Sequence, residues 1–222
     1  VRILGPNGEY GGLGYRFDHH LVITCAHVVA KALDDEPTAK NSEAPSSELF
    51  LDTPFAPGVE ATKKGRAVAL QEGWLPVKDD TVPSDLALLL ISDRSSVLPP
   101  SCPFANLDPA ITLTNKVFHA YGGPDGHKRH LVHLQGLIKA PIGNHLWQLS
   151  AKDTDYPIEP GCSGAPAICG SSGQVVGLIA QDEQHPEIKV GFLIPAIHLR
   201  KLVREAGFLR PSVTDLEPLK YW

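Results

Sequence analysis

Twenty glycines and twenty prolines divide this 222-residue chain into short apolar segments. Turn-forming residues bound each segment, and such runs are typical of β-strands. The one convincing helical pattern covers 196–206, where Pro195 precedes an apolar stripe and Gly207 follows it. Regular short strands without long helices between them predict an all-β antiparallel barrel or sandwich. The segments we interpret as strands are 21–24, 48–51, 66–70, 86–91, 116–121, 131–138, 146–149, 165–168, 175–180 and 190–194.

Composition excludes several classes of partner. The net charge is −5 and no basic run is present, so the sequence predicts no nucleic-acid partner. No apolar run approaches the length of a membrane span and the first residues carry no signal pattern, so we expect no membrane partner. A chain that starts at Val1 and contains no Met is expected to be a mature fragment or an excised domain of a larger protein.

Three short motifs supply a histidine, an aspartate and a serine in that chain order. His27 follows the segment 21–24, Asp85 precedes the segment 86–91, and Ser163 lies in the run Gly-Cys-Ser-Gly-Ala-Pro. A serine hydroxyl is a poor nucleophile unless an imidazole takes its proton, and a carboxylate must fix the tautomer of that imidazole. We therefore interpret His27, Asp85 and Ser163 as a candidate catalytic triad for serine acyl transfer.

Other acidic residues near Asp85 are weaker candidates for the carboxylate. Asp79, Asp80 and Asp93 lie in polar segments, where water can solvate an ionised group. Asp85 borders a strand that the sequence predicts to be buried, and a charge there needs hydrogen-bonding partners such as an imidazole N–H. The alternative role for Asp85 is that of an ordinary turn former at the start of a strand.

On these motifs the chain resembles the trypsin/chymotrypsin-like serine peptidases, especially the bacterial and intracellular branch typified by the high-temperature-requirement proteases. The resemblance extends from the Gly11–Gly14 segment to the helix after Pro195. It implies two antiparallel six-stranded Greek-key barrels of the chymotrypsin-like type with a C-terminal helix. The implied divisions are a first barrel at 1–98, a crossover at 99–109, a second barrel at 110–195, and a helix and tail at 196–222.

The same resemblance implies further site residues. The backbone N–H groups of Gly161 and Ser163 would form the oxyanion hole. Cys162 stands where digestive relatives place an aspartate that pairs with a freed N-terminus, so that activation switch cannot operate here. Cys162 is itself an implausible nucleophile, because it lies one residue out of register with the position that viral relatives fill with cysteine.

The resemblance assigns the substrate pocket to Pro157, Ala180, Asp182 and Gly191. Pro157 occupies the base position where trypsins carry an aspartate, which does not support a basic preference. Asp182 near the rim favours a basic substrate side chain, whereas Gly191 leaves the pocket open. Small apolar and basic preferences both remain open.

Cysteine and histidine usage bears on compartment and metals. Cys25, Cys102, Cys162 and Cys169 show no disulfide framework, so we expect four thiols and a reducing, cytoplasmic compartment. Recurrent histidines suggest a metal site, but they lack the recognised spacings of zinc ligands and are interpreted as structural or surface residues. We expect neither a metal nor another cofactor. These histidines are His119, His127, His130, His133 and His145.

The filled triad positions predict a serine endopeptidase that hydrolyses protein or peptide substrates through an acyl-enzyme. Similar domains are often fused to bacterial signalling or NTPase modules, so the resemblance implies a regulated effector domain with a regulatory domain or partner protein. The alternative is a latent or non-catalytic protease-like module that binds a peptide or a partner domain.

Overall fold

The computed structural model describes residues 1–35, 40–53, 64–78, 84–92, 113–123, 131–143, 146–151, 156–180 and 191–208. Within these residues the chain forms thirteen strands and two helices. In chain order they are β1 Arg2–Leu4, β2 Tyr10–Leu13, β3 Tyr15–Arg16, β4 Leu21–Thr24, α1 Ala26–Ala32, β5 Leu49–Asp52, β6 Gly65–Leu75, β7 Leu86–Ile91, β8 Val117–Gly122, β9 Val132–Ile142, β10 Leu146–Ala151, β11 Pro166–Cys169, β12 Val175–Ala180, β13 Gly191–Pro195 and α2 Ala196–Glu205.

The first seven strands form a nearly closed antiparallel barrel. Their order is β2-β1-β5-β6-β7-β4-β3, so β2 and β3 lie at the two edges of the sheet. Only Gly14 separates these two strands, and they act as one bent strand that reaches both edges. A Cβ at Gly14 would lie 2.7 Å from a side-chain carbon of Val22, so the packing at this position leaves no room for a side chain. The seven strands are therefore six strand paths, one of which is interrupted.

The remaining strands close completely into a second barrel. Their order is β10-β13-β12-β11-β8-β9, and all six are joined in antiparallel pairs. The prediction of an all-β protein with two antiparallel barrels and a C-terminal helix is confirmed. The predicted crossover at 99–109 lies outside the described residues, so the predicted domain boundaries stay predictions.

The two hydrophobic cores interlock where the barrels meet. Leu13 belongs to the first barrel by chain position, but it packs in the core of the second. In the opposite direction, α2 follows the second barrel and buries Leu199, Leu202 and Val203 in the core of the first. Apolar burial thus fixes the barrels against each other, which positions side chains from both at their junction. Neither helix in the described residues combines the length and apolar character needed to cross a membrane.

Candidate active site

His27 and Asp85 meet in a two-point contact within the first barrel. His27 is the second residue of α1, which only Cys25 separates from β4, and Asp85 directly precedes β7. The Asp85 Oδ2 atom lies 2.7 Å from His27 Nδ1, and Asp85 Oδ1 accepts the His27 backbone N–H at 2.9 Å. That N–H belongs to the first helical turn and has no acceptor within the helix. The Asp85 carboxylate therefore accepts hydrogen bonds from both the backbone N–H and the imidazole ring of His27. The contact favours the tautomer with the proton on Nδ1.

Asp85 has an unusual backbone conformation. Its φ is +61°, in the left-handed region that residues with a Cβ seldom adopt, although aspartate and asparagine tolerate it best. The Asp85 backbone N–H donates to the Pro76 carbonyl at 3.4 Å. This conformation turns the chain sharply at the start of β7. Strained backbone of this kind concentrates at functional sites, where the surrounding structure maintains it.

Ser163 follows a tight turn in the second barrel. The Cys162 N–H donates to the Glu159 carbonyl at 3.1 Å, which closes a four-residue turn over 159–162. Pro160 holds the second position and Gly161, with φ +94°, the third, as in a type II turn. The peptide group at the centre of this turn carries the Gly161 N–H, which the resemblance to serine peptidases assigns to the oxyanion hole. Its direction therefore depends on the turn type.

Two hydrogen-bond relays bring the Ser163 segment to the first barrel. The Leu13 N–H donates to the Ser163 carbonyl at 2.9 Å, and the Leu13 carbonyl accepts the Thr24 hydroxyl at 2.6 Å. Ser163 is 1% exposed. Thr24 lies only three residues before His27, so the relay ties the strand that leads into α1 to the serine segment.

The second relay passes through β12. The Ile179 carbonyl accepts the Gly164 N–H at 2.8 Å and lies 3.8 Å from the Cys25 thiol sulfur. Gly164 follows the serine, and Cys25 precedes α1. The three residues singled out in the sequence thus lie on segments that converge at the barrel junction, with His27 and Asp85 in direct contact.

Gly164 is a sensitive point of this junction. Its φ is +80°, and a Cβ there would overlap the Leu13 carbonyl oxygen and approach Thr24 Oγ1 to 2.6 Å. We expect Gly164→Ala to lower the free energy of unfolding by about 2–4 kcal/mol, because backbone strain and a clash with rigid backbone add. Urea unfolding measures the change. Gly173→Ala is the control, since Gly173 has φ +68° with open space around it and should lose only about 1 kcal/mol. Equal losses in both variants would contradict the clash.

Three of the four residues that the resemblance assigns to the substrate pocket lie within the described residues. Pro157 is half-buried, Ala180 is buried at the end of β12, and Asp182 lies outside the described residues. Gly191 does not face open space, because a Cβ there would approach the Ile158 side chain to 2.6 Å. Ile158 is 2% exposed and fills the space beside Gly191. The resemblance places the segment 155–160 opposite Gly191 but does not single out Ile158 within it.

Cys25, His27 and Asp85 form a cluster of three potential metal ligands. One ligand atom from each lies within 4.8 Å of the others. Burial, followed by the nearby Asp85 charge, raises the pKa of the Cys25 thiol well above its usual value, so the sulfur stays protonated and is a poor ligand. The Asp85 carboxylate already serves His27 with both oxygens. These three residues are therefore better explained as an imidazole–carboxylate pair beside a protonated thiol than as a metal site.

The other described cysteines form no disulfide, and two histidines of the second barrel contact each other. Among the described residues, Cys25, Cys162 and Cys169 form no disulfide, and Cys102 lies outside them. His119 and His133 pair on the surface of the second barrel, with Nδ1 and Nε2 atoms 3.2 Å apart. Their rings are stacked, with an interplanar angle of 23° and centroids 5.4 Å apart. His127, His130 and His145 lie outside the described residues.

Solved protease structures share this fold. The Rv3671c protease in its inactive form matches with a TM-score of 0.58 and 19% identity, over 93% of this chain and 87% of that one. The HtrA-type protease AlgW, solved with a decapeptide, matches with a TM-score of 0.59 and 17% identity, over 89% of this chain and 51% of that one. The serine endoprotease from Yersinia pestis matches with a TM-score of 0.59 and 19% identity, over 91% and 62% of the two chains.

Sequence comparison gives the family. Curated protein sequences contain no match to this chain. A family model described as a trypsin-like peptidase domain matches residues 12–178, a range that includes His27, Asp85 and Ser163. The match covers well over half of the chain and agrees with the two-barrel fold. The chain therefore belongs to the trypsin-like peptidase domain family.

Proposed function

We propose that this chain is a serine endopeptidase in which Ser163 is the nucleophile, His27 the general base and Asp85 the orienting carboxylate. The observation that carries the proposal is the 2.7 Å contact between His27 Nδ1 and Asp85 Oδ2. With the proton held on Nδ1, the Nε2 atom keeps its lone pair and can accept a proton from a serine hydroxyl. The convergence of the serine segment on the same junction supports Ser163 as that serine.

The reaction would proceed by two acyl transfers. Ser163 Oγ bonds to the substrate carbonyl carbon while its proton passes to His27 Nε2, and the imidazolium then protonates the leaving amine as the peptide bond breaks. Water repeats the sequence on the acyl-enzyme, which releases the acid and restores the hydroxyl. Asp85 stays ionised throughout and stabilises the imidazolium. The N–H groups of Gly161 and Ser163 would stabilise the oxyanion, each by roughly 3 kcal/mol.

Substrate choice would favour a small apolar side chain before the scissile bond. Ile158 packs beside Gly191, and Ala180 pairs with Phe192, the residue after Gly191, so the side chains described there are apolar. Pro157 offers no charge for a basic residue. A peptide library that varies this position should return Ala, Val or similar residues. Preferential cleavage after Lys or Arg would contradict the assignment and indicate a role for Asp182.

We further propose an intracellular effector domain whose activity is regulated. Buried Cys25 and Cys162, which form no disulfide, fit a reducing compartment. Exchange between type II and type I turns inverts the central peptide group, and Gly161 permits both. Such a flip in 159–162 would remove one oxyanion donor and lower the rate about 10²–10³-fold. A neighbouring domain or partner would select the competent turn as a population shift.

A fluorophosphonate probe tests the catalytic assignment directly. The active-enzyme proposal expects covalent labelling of Ser163, detected by peptide mapping, and loss of labelling in Ser163→Ala. Absence of labelling in both the isolated domain and the longer, stimulated protein would favour the alternative function, a non-catalytic module that binds a peptide or partner.

Regulation has a separate readout. We expect a matched peptide to be turned over much more slowly by the isolated domain than by the stimulated full-length protein. Equal turnover by both would mean that the domain is constitutively competent.

A further inference from the structure

We propose that Tyr10 is a positioning residue that holds the turn before Ser163 in the arrangement needed for oxyanion stabilisation. This inference rests on the proposed function. Tyr10 begins β2 in the first barrel, whereas Gly161 lies 151 positions later in the second. The Tyr10 hydroxyl donates a buried hydrogen bond of 2.8 Å to the Gly161 carbonyl. This hydrogen bond anchors a loop of the second barrel to the first barrel.

The peptide group that contains the Gly161 carbonyl lies between the two proposed oxyanion donors. The Gly161 carbonyl and the Cys162 N–H belong to one planar unit and point to opposite sides of it. Tyr10 holds the carbonyl, and the Glu159 carbonyl accepts the N–H at 3.1 Å. Both sides of the plane are therefore fixed. The N–H groups of Gly161 and Ser163 lie on the peptide groups directly before and after it, so their positions depend on this plane.

Packing holds the tyrosine hydroxyl in place. Gly123 follows β8, and a Cβ there would overlap the Tyr10 hydroxyl and approach its ring carbon Cζ to 3.0 Å. A Cβ at Gly161 would overlap the Gly123 carbonyl oxygen and lie 3.4 Å from Tyr10 Cε1. Tyr10 is 9% exposed. Two glycines thus form a close-fitting recess around the hydroxyl, and neither position has room for a side chain.

Strand β2 contacts the loop at both of its ends. Tyr10 bonds to the Gly161 carbonyl, and the Leu13 N–H bonds to the Ser163 carbonyl at 2.9 Å. The Leu13 contact is made by backbone and does not depend on which side chain stands there. The Tyr10 contact depends on a phenolic hydroxyl, so it is the one that a substitution can remove selectively.

Tyr10→Phe tests the proposal, because it deletes the hydroxyl and retains the ring. The buried Gly161 carbonyl would lose this donor, and the loop would then populate arrangements with misdirected N–H groups. We expect kcat to fall about 10-fold with KM within about twofold of the wild-type value, since the oxyanion forms only in the transition state. Affinity for a peptide aldehyde should fall in parallel. Binding of the uncleaved peptide to a Ser163→Ala background should not change.

A second variant reaches the same contact from the other side. Gly123→Ala places a methyl group against the Tyr10 hydroxyl, and we expect the same loss in kcat. In the Tyr10→Phe background, Gly123→Ala should lower kcat by a smaller factor, because the hydroxyl that it would displace is absent.

Tyr15→Phe is the matched control, since Tyr15 is also a buried tyrosine of the first barrel, at 4% exposed. We expect Tyr15→Phe to leave kcat unchanged. Unchanged kcat in Tyr10→Phe, or equal losses in kcat and ground-state peptide binding, would overturn the proposal.

Amide hydrogen exchange separates this proposal from the proposed function. Faster exchange at Cys162 and Ser163 in Tyr10→Phe, but not in Tyr15→Phe, is expected whether or not the isolated domain turns over peptide. Faster exchange in Tyr10→Phe, together with a wild-type protein that never labels with fluorophosphonate, would sustain the positioning of the loop and reject the catalysis. Unchanged exchange in a folded Tyr10→Phe variant would reject the positioning even if the wild type is active.

Discussion

Ser163→Ala is expected to lower kcat on the order of 10⁶-fold and to leave peptide binding intact. The substitution removes only Oγ from a residue that is 1% exposed and held through its backbone carbonyl by the Leu13 N–H. The fold has little reason to change, because the contact that anchors the residue does not involve its side chain. His27→Ala should cost nearly as much, since a serine without its base is a poor nucleophile. Steady-state hydrolysis of a fluorogenic peptide measures both.

A serine in the same barrel provides the control. Ser150 lies in β10, and its hydroxyl is 3.4 Å from the carbonyl oxygen of Ala151. Ser150→Ala should keep wild-type kcat and KM. Hydrolysis that persists in Ser163→Ala at more than a small fraction of the wild-type rate would show that another residue supplies the nucleophile.

Local pattern was sufficient to predict most of the secondary structure. The segment 86–91 is β7 and the segment 175–180 is β12, because turn-forming residues bound both apolar runs closely. The predicted helix 196–206 is observed as Ala196–Glu205. Proline fixes its start, a Schellman-type glycine position follows its end, and its apolar spacing matches one buried face. Periodicity and punctuation are properties of neighbouring residues, so a single sequence contains them.

Contacts between distant segments were beyond such patterns. Nothing in the sequence pairs Tyr10 with Gly161, or identifies Ile158 as the side chain that packs against Gly191, because both contacts arise from how distant segments pack. The six-stranded first barrel that the resemblance implies has seven strands in the structure, because one strand is interrupted at Gly14. This interruption also depends on packing and not on a local pattern. The resemblance to serine peptidases singled out His27 and Asp85, whose direct contact the structure displays. It gave no indication of the positive φ of Asp85.

The positive φ of Asp85 makes Asp85→Asn a substitution that should remove the negative charge with little effect on stability. Asparagine tolerates a φ of +61° about as well as aspartate does, and its side-chain oxygen can still accept the His27 backbone N–H. We expect the free energy of unfolding to change by less than about 1 kcal/mol. The amide nitrogen, however, would face His27 Nδ1 and donate to it. The imidazole proton then moves to Nε2, where no lone pair remains for the serine proton, and kcat should fall on the order of 10⁴-fold.

Asp52→Asn is the matched control, because it should show the opposite pattern. Asp52 is also an aspartate of the first barrel, 7% exposed, and both of its oxygens accept hydrogen bonds of 2.6 Å from Arg2. Neutralising it weakens two charge-assisted bonds, so unfolding should become easier by about 2 kcal/mol while kcat stays unchanged. Urea unfolding and steady-state kinetics on both variants separate the two roles. If Asp85→Asn retained its activity, the orienting carboxylate would have to be sought among Asp79, Asp80 and Asp93, and the 2.7 Å contact would be structural rather than catalytic.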